Sequence, residues 1–280
     1  MGEHGRTALV LGGGGITGIA WEIGILTGLA EAGVDLTDAD IVVGTSAGSV
    51  VGAQVTNGTP LADLYAGQLE PPDAELGGRM SRIAALKLVP PYLLPGTGRD
   101  KLARVGRVAL ASHRPGSVDR EGVIRSRLPV RDWPERDLRI TAVDAESGEF
   151  TVFTAASGVD LVAAVAASCA VPTVWPPVEI DGRTYMDGGM RSTANVDVAA
   201  GVDRVVVLAP LPRSVSRKTS IRAQLGTVAA REWSVVTPDA EALAAFGRNL
   251  LDPAKRGVAA EAGLRQSRGL VDEITHVWTG

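Results

Sequence analysis

Hydrophobic and polar positions along the chain fall into two kinds of segment. Short apolar runs bounded by glycine or polar turns read as buried strands: Thr7 to Leu11, Ile41 to Val43, Leu138 to Val143, Phe150 to Thr154 and Arg204 to Leu208. Apolar residues at three- and four-residue spacing read as helix. Ile19, Ile23, Leu26 and Ala30 mark one from about Ile19 to Ala32, with Gly33 as its stop, and a buried helix is expected near Asp160 to Ala167. Strand, glycine loop, helix and second strand follow one another directly. Two successive βα units predict an α/β fold with parallel strands and both loops at the carboxyl end of the sheet, where such sheets place their sites.

The second strand breaks into Gly44-Thr45-Ser46-Ala47-Gly48, a Gly-x-Ser-x-Gly turn. A serine hydroxyl is a poor nucleophile unless it is held exposed beside a base, and a sharp strand-to-helix turn exposes it. Ser46 is therefore the candidate nucleophile, with Gly44 and Gly48 giving the crowded turn its room. The first loop, Gly12 to Gly18, has a competing reading. Gly13, Gly15 and Gly18 satisfy the Gly-x-Gly-x-x-Gly dinucleotide pattern, but Asp38 and Asp40 precede the second strand instead of ending it, and no Gly-Lys-Ser/Thr follows. What remains is a row of backbone N–H groups at a helix N-terminus on Ser46's side of the sheet. Such a row suits an anion, including the oxyanion formed when an ester carbonyl is attacked.

The third stretch is Thr184-Tyr185-Met186-Asp187-Gly188-Gly189. A carboxylate within hydrogen-bond reach of Ser46 can take its proton directly; the plainer reading is a turn aspartate before two glycines. Asp144, before Ser147-Gly148, is the rival carboxylate, although a hairpin turn suits it better. Of the three histidines, His4, His113 and His276, the last gives Ser46, Asp187 and His276 in the chain order of an α/β-hydrolase triad. Against that order, α/β-hydrolases reach their nucleophile after several strands, whereas Ser46 follows one βα unit. A non-catalytic nucleotide- or lipid-binding module is the remaining alternative.

Composition narrows these options. Of the 280 residues, 45% are apolar and 21% charged, enough for a sizeable core, and one domain over residues 1–280 is expected. A net charge of -4 with both signs dispersed argues against nucleic acid as a partner. Cys169 is the single cysteine, so no internal disulfide forms and a cytoplasmic setting is favoured. Scattered histidines and no paired acidic ligands predict no metal. No apolar run reaches a membrane span: Leu161 to Trp175 is short and contains Pro172, so any membrane contact is expected to be peripheral.

Between Thr59 and Glu135, Pro71-Pro72, Gly77-Gly78, Pro90-Pro91 and Pro95-Gly96 punctuate the chain, predicting a cap or insertion of short helices over the site at 59–136. Within it, Ile83 to Val89 with Tyr92-Leu93-Leu94 reads either as a lipid-facing or acyl-tunnel wall or as plain core. Arg79, Arg82 and Lys87 suit an anionic surface or a solvated helix face. After Pro210 the pattern is helical, near Ser220 to Ala230, Ala240 to Leu250 and Pro253 to Ser267, so 211–280 is expected to be a helical C-terminal part.

Taken together, Gly13-Gly14-Gly15-Ile16-Thr17-Gly18, Gly44-Thr45-Ser46-Ala47-Gly48 and Asp187-Gly188-Gly189 resemble the signature of the patatin-like phospholipases. That signature is a Gly-Gly-Gly-x-Arg/Lys-Gly loop, a Gly-x-Ser-x-Gly elbow and a distant Asp-Gly-Gly. Ala167-Ser168-Cys169-Ala170-Val171-Pro172, Trp175-Pro176-Pro177 and Asn195 also fit, and the likeness spans roughly residues 7 to 208. It implies a three-layer α/β/α fold with a mostly parallel sheet and a Ser-Asp dyad acting on lipid acyl esters without a cofactor. Ser46 would attack, Asp187 would serve as base, and Gly13, Gly14 and Gly15 would form the oxyanion hole, with Gly18, Gly44, Gly48, Gly188 and Gly189 supporting the motifs. Thr17 departs from the family's Arg or Lys, which widens the expected substrates to lysolipids and neutral esters.

Overall fold

The computed structural model describes residues 5–71, 77–78, 86–112 and 119–280. One eight-stranded sheet runs through them. Its strands are β1 (Thr7–Leu11), β2 (Ile41–Thr45), β3 (Asp137–Asp144), β4 (Phe150–Phe153), β5 (Val178–Ile180), β6 (Arg183–Asp187), β7 (Arg204–Leu208) and β8 (Glu232–Val236). β8, β7, β1, β2 and β3 pair in parallel in that order, while β4 and β6 join β3, and β5 joins β6, antiparallel.

Successive side chains of a strand point to opposite faces, and here both faces are covered. Leu9, Leu11, Val42, Ile140, Val206 and Leu208 meet α1 (Gly15–Glu31), α2 (Ala47–Thr56) and the helices Leu161–Ser168 and Arg256–Ser267. Ala8, Val10, Ile41, Val43, Val205 and Val207 meet the turn Val196–Ala199 and the helix Ile221–Val228 on the other side. Val143 and Met186 form a separate, third cluster with Leu102, Val105 and Ala109 of the helix Gly98–Ser112. The result is a three-layer α/β/α arrangement. Strands buried on both faces need apolar residues at every position, which is why their sequences lack alternation.

One detail of the pairing positions the site. Thr141 pairs with Thr45 of β2 and with Val152 of β4, and Ala142 pairs with Thr151 of β4 and with Asp187 of β6. A strand residue has only two edges, so β2 and β6 share the same edge of β3. β2 runs up that edge and β6 runs down it. Their carboxyl ends therefore abut, with Thr45 and Asp187 opposite consecutive residues.

Three expectations need correction. α1 begins at Gly15, not Ile19, because Gly14 and Gly18 pack under Pro210 and the Leu250 carbonyl accepts the Thr17 N–H at 3.1 Å. The tail is not wholly helical: Glu232–Val236 forms β8, whose apolar Val235 and Val236 extend the sheet beside β7. The 59–136 region is not a single cap. Its described helices serve different clusters, Leu64 of α3 (Leu61–Leu69) and Ile124 joining the first core and Leu102, Val105 and Ala109 the one around Val143 and Met186. His4, Arg79, Arg82, Ile83 to Ala85 and His113 lie outside the described residues. Among the described residues, no helix is long and apolar enough to cross a membrane.

Candidate active site

Ser46 sits between β2 and α2 with φ 53° and ψ -116°. That conformation costs a non-glycine residue about 1–3 kcal/mol and persists only where its surroundings hold it. Here they do so at every backbone atom. The Ser46 N–H donates to Ser168 Oγ at 2.9 Å, and its carbonyl accepts from Ser49 Oγ at 2.6 Å and Cys169 Sγ at 3.2 Å. The Gly48 N–H donates to the Gly12 carbonyl at 3.0 Å, fastening the elbow to the glycine loop. A Cβ on Gly48 would overlap the Leu11 carbonyl, and one on Gly44 would lie 2.5 Å from Ser49 Cα. The turn is closed to side chains at both positions.

The Ser46 hydroxyl donates to Asp187 Oδ2 at 2.7 Å. The other carboxylate oxygen accepts the Gly189 N–H, also at 2.7 Å, which fixes the plane of the group. Beneath this pair, Asn195 holds the three converging strand ends together. Its Nδ2 lies 3.1 Å from Thr45 Oγ1, 3.2 Å from Thr141 Oγ1 and 3.2 Å from the Gly188 carbonyl. A Cβ on Gly188 would come within 2.5 Å of the Thr141 carbonyl, so glycine is required for that close approach.

Burial pushes the Asp187 carboxyl up to about 6, opposed by its bonds from Ser46 and Gly189 and by the charge of Arg120. Arg120, 5% exposed, has no ion-pair partner among the described residues. Its guanidinium lies 4.4 Å from the Trp175 ring centroid and donates to the Cys169 carbonyl at 3.4 Å. Burial lowers its pKa to about 10, so it keeps its charge at neutral pH. The Cys169 thiol is pushed up by burial and stays neutral, a hydrogen-bond donor to the elbow rather than a second nucleophile.

The glycine loop needs a correction. The Gly13 N–H donates to the Thr193 carbonyl at 2.7 Å and is not available to an anion. No acceptor among the described residues meets the N–H of Gly14 or Gly15, and both line the cavity that contains Ser46 and Asp187. Gly15 has φ 63° and its amide stands at the N-terminus of α1, where the helix dipole favours negative charge. That cavity measures about 740 Å³, with Val171, Met190, Leu211, Val215 and Leu251 forming much of its wall. A much smaller space of about 30 Å³ lies on the Arg120 and Trp175 side of Ser46.

Other candidates lie elsewhere. Asp144 Oδ1 accepts the N–H groups of Glu146 and Ser147 at 3.0 and 2.8 Å, a turn role. His276 is exposed in the helix Val271–Thr279, whose Trp278 carbonyl accepts from Arg204 at the opposite end of the sheet from Ser46. Thr17 is buried, its hydroxyl 3.4 Å from the Leu250 carbonyl. Arg120 and Leu250 have no motif to betray them, and Ser168 lies in the Ala167 to Pro172 segment without that segment revealing its bond to the Ser46 N–H. The signal that sequence offers is a polar Ser168-Cys169 pair closing an otherwise apolar helix.

Comparison with known proteins bears on this arrangement. The family model for patatin-like phospholipases matches residues 9–200. The lysophospholipase nte1 of Aspergillus niger is 28% identical over 203 residues, which are 72% of this chain and 11% of that protein. The chain thus spans about a tenth of that relative's length. The crystal structure of VipD from Legionella pneumophila aligns with a TM-score of 0.50 at 15% identity, covering 96% of this chain and 67% of that one, a likeness of fold. ExoU from the type III secretion system of Pseudomonas aeruginosa, solved in complex with SpcU, aligns at a TM-score of 0.43 and 16% identity, over 98% of this chain and 53% of that one.

Proposed function

The chain belongs to the patatin-like phospholipase family, and from that premise we propose that it hydrolyses lipid carboxylic esters through Ser46 and Asp187. The observation that carries the reading is the 2.7 Å bond from Ser46 Oγ to Asp187 Oδ2 on the floor of an open cavity. In the first half of the reaction Asp187 takes the hydroxyl proton as Ser46 Oγ bonds to the ester carbonyl carbon. The carbonyl π electrons move to oxygen, which the N–H groups of Gly14 and Gly15 receive. The intermediate collapses, the alkoxide leaves with the proton from Asp187, and an acyl-Ser46 ester remains. Water then repeats the sequence: Asp187 takes its proton, hydroxide attacks the acyl carbon, and Ser46 leaves reprotonated.

A carboxyl with a pKa of about 6 is mostly ionised at neutral pH yet basic enough to accept a proton in the transition state. Direct Ser-to-Asp transfer removes the need for an imidazole. For substrate we propose a single-chain acyl ester such as a lysophospholipid. The larger cavity beside Ser46 is mostly apolar in its wall and falls in the range of small-ligand pockets, wide enough for one acyl chain. The activity in the name of the Aspergillus niger relative supports the same class.

The test is a panel of p-nitrophenyl esters, lysophospholipids and diacyl phospholipids assayed with wild type, Ser46→Ala, Asp187→Asn and His276→Ala. Hydrolysis lost in the first two variants and retained in the third is expected. Loss in His276→Ala, or fluorophosphonate labelling that persists in Ser46→Ala, would overturn the dyad.

A further inference from the structure

Residues 86–112 carry two features that the hydrolysis chemistry does not use. Leu86, Val89, Leu93 and Leu94 are 69%, 47%, 78% and 50% exposed, within nine consecutive positions. A cluster of large apolar side chains left in water marks an interaction surface. The same segment holds Lys87, Arg99, Lys101, Arg104 and Arg107 against Asp100 alone, a net of +4 in a chain whose net charge is -4.

The cluster is firmly based. Pro91 is buried, and Leu88 and Tyr92 pack against the core formed by Val143 and Met186. Tyr92 Oη donates to the Met190 carbonyl at 2.9 Å, and Arg104 holds the carbonyls of Leu94 and Pro95 at 3.3 and 2.6 Å. Met190 in turn lines the cavity of Ser46 and Asp187. The exposed leucines are thus mounted one residue away from the wall of the candidate site.

We propose that residues 86–94 form a docking element that inserts Leu86, Val89, Leu93 and Leu94 into an anionic lipid surface, with Lys87 and the basic residues of 99–107 at head-group level. Apolar side chains flanked by basic ones are what an interfacial element needs: burial of the first in the acyl boundary and attraction of the second to anionic lipid. A protein partner or a second copy of this chain would gain less from the excess of cations, since the rest of the chain disperses its charges. The use of this surface in catalysis rests on the lipid-hydrolase reading; the binding itself does not.

The experiment is co-sedimentation of the full chain with phosphatidylcholine vesicles and with phosphatidylcholine–phosphatidylglycerol vesicles, beside hydrolysis of a soluble short-chain p-nitrophenyl ester. Wild type is expected to partition onto the mixed vesicles about tenfold more than onto the neutral ones, with the preference falling as salt rises. Leu93→Ser with Leu94→Ser is expected to reduce partitioning about tenfold. Lys87→Glu with Lys101→Glu is expected to abolish the preference for anionic vesicles. Both pairs should hydrolyse the soluble ester at the wild-type rate, which also verifies their folding. Wild type that stays in the supernatant with both vesicles, or a leucine variant that binds as wild type does, overturns the proposal. A dimer in ultracentrifugation that the leucine variant dissolves assigns the patch to a second copy and overturns it too. Absence of soluble-ester hydrolysis in every protein would sink the hydrolase reading and leave the binding result standing.

Discussion

Among the described residues, Glu22 and Asp187 are the two most deeply buried carboxyl groups, in opposite circumstances. Asp187 accepts hydrogen bonds from Ser46 and Gly189 and feels the buried cation of Arg120, so burial carries it only to about 6. Glu22, on α1, leaves both oxygens without a hydrogen-bond partner. Burial holds it well above the usual carboxylate range, opposed only by the Gly12 amide, which is already committed to the Leu208 carbonyl. Burial alone makes a carboxylic acid neutral and inert. Burial combined with two donors and a cation makes one that exchanges a proton near neutrality. The proposed chemistry rests on that second set of neighbours.

The comparison breaks most visibly when the two groups are replaced in turn. Asp187→Asn and Ser46→Ala are each expected to lower kcat for a soluble ester by about ten-thousand-fold or more, because a nucleophile and its base act as a unit. Glu22→Gln should leave kcat within about twofold, since Glu22 touches nothing that reacts. Equal losses in all three would erase the distinction.

Stability should move the other way. The Asp187 carboxyl ionises near 3.8 when unfolded and near 6 when folded. Between those values the folded state binds the extra proton, so this group's contribution to stability falls as pH rises through that window and stays low above it. Asp187→Asn removes the charged form and is predicted to stabilise the protein by about 1–3 kcal/mol at pH 8. Glu22→Gln should act in the same direction. Denaturant melts at pH 5 and pH 8 provide the check, and a destabilised Asp187→Asn at pH 8 would contradict the burial account.

Arg120 sharpens the contrast at smaller scale. With wild type, kcat/KM should fall as pH drops below about 6, because Asp187 must be ionised to accept the serine proton. Arg120→Gln removes the cation that favours the carboxylate. The acid limb should shift to higher pH and the rate near neutrality drop by about tenfold, with Arg120→Lys intermediate. A lowered kcat with an unmoved limb would reduce Arg120 to a packing role. A smaller loss than at Arg120 is expected at Ser168→Ala, which strips the Ser46 N–H of its partner. A loss of about threefold to tenfold in kcat, with KM little changed, would reflect a loosened elbow.

The elements legible without coordinates share a property: their residues tolerate one conformation better than any other. β1, β2, β3 and β7 are short apolar runs that only a doubly covered sheet accommodates, and the Gly44, Gly48 and Gly188 positions are closed to any side chain. The Gly-x-Ser-x-Gly turn and the Asp-Gly-Gly turn were readable for that reason. Gly15 to Gly18 read as loop because glycine is a poor helix former, by about 1 kcal/mol relative to alanine. Contacts with Pro210 and Leu250, more than 190 positions away, make them the first turn of α1 instead. β8 escaped notice because Glu232 and Trp233 are exposed on an edge strand, leaving too short an apolar run to read.

By itself the sequence determined which residues are candidates for the chemistry and which local turns present them, since glycine spacing and apolar runs act within a few residues. Whether Ser46 meets Asp187, which glycine amides remain free and how far Asp187 is shifted were decided by tertiary structure alone. The meeting depends on β2 and β6 sharing one edge of β3. The loss of the Gly13 amide to Thr193, and the presence of Arg120 behind the elbow, depend on segments distant in the chain. Hydrogen bonds and charge act through space over a few ångströms, and only the folded chain specifies which distant residues come within that reach.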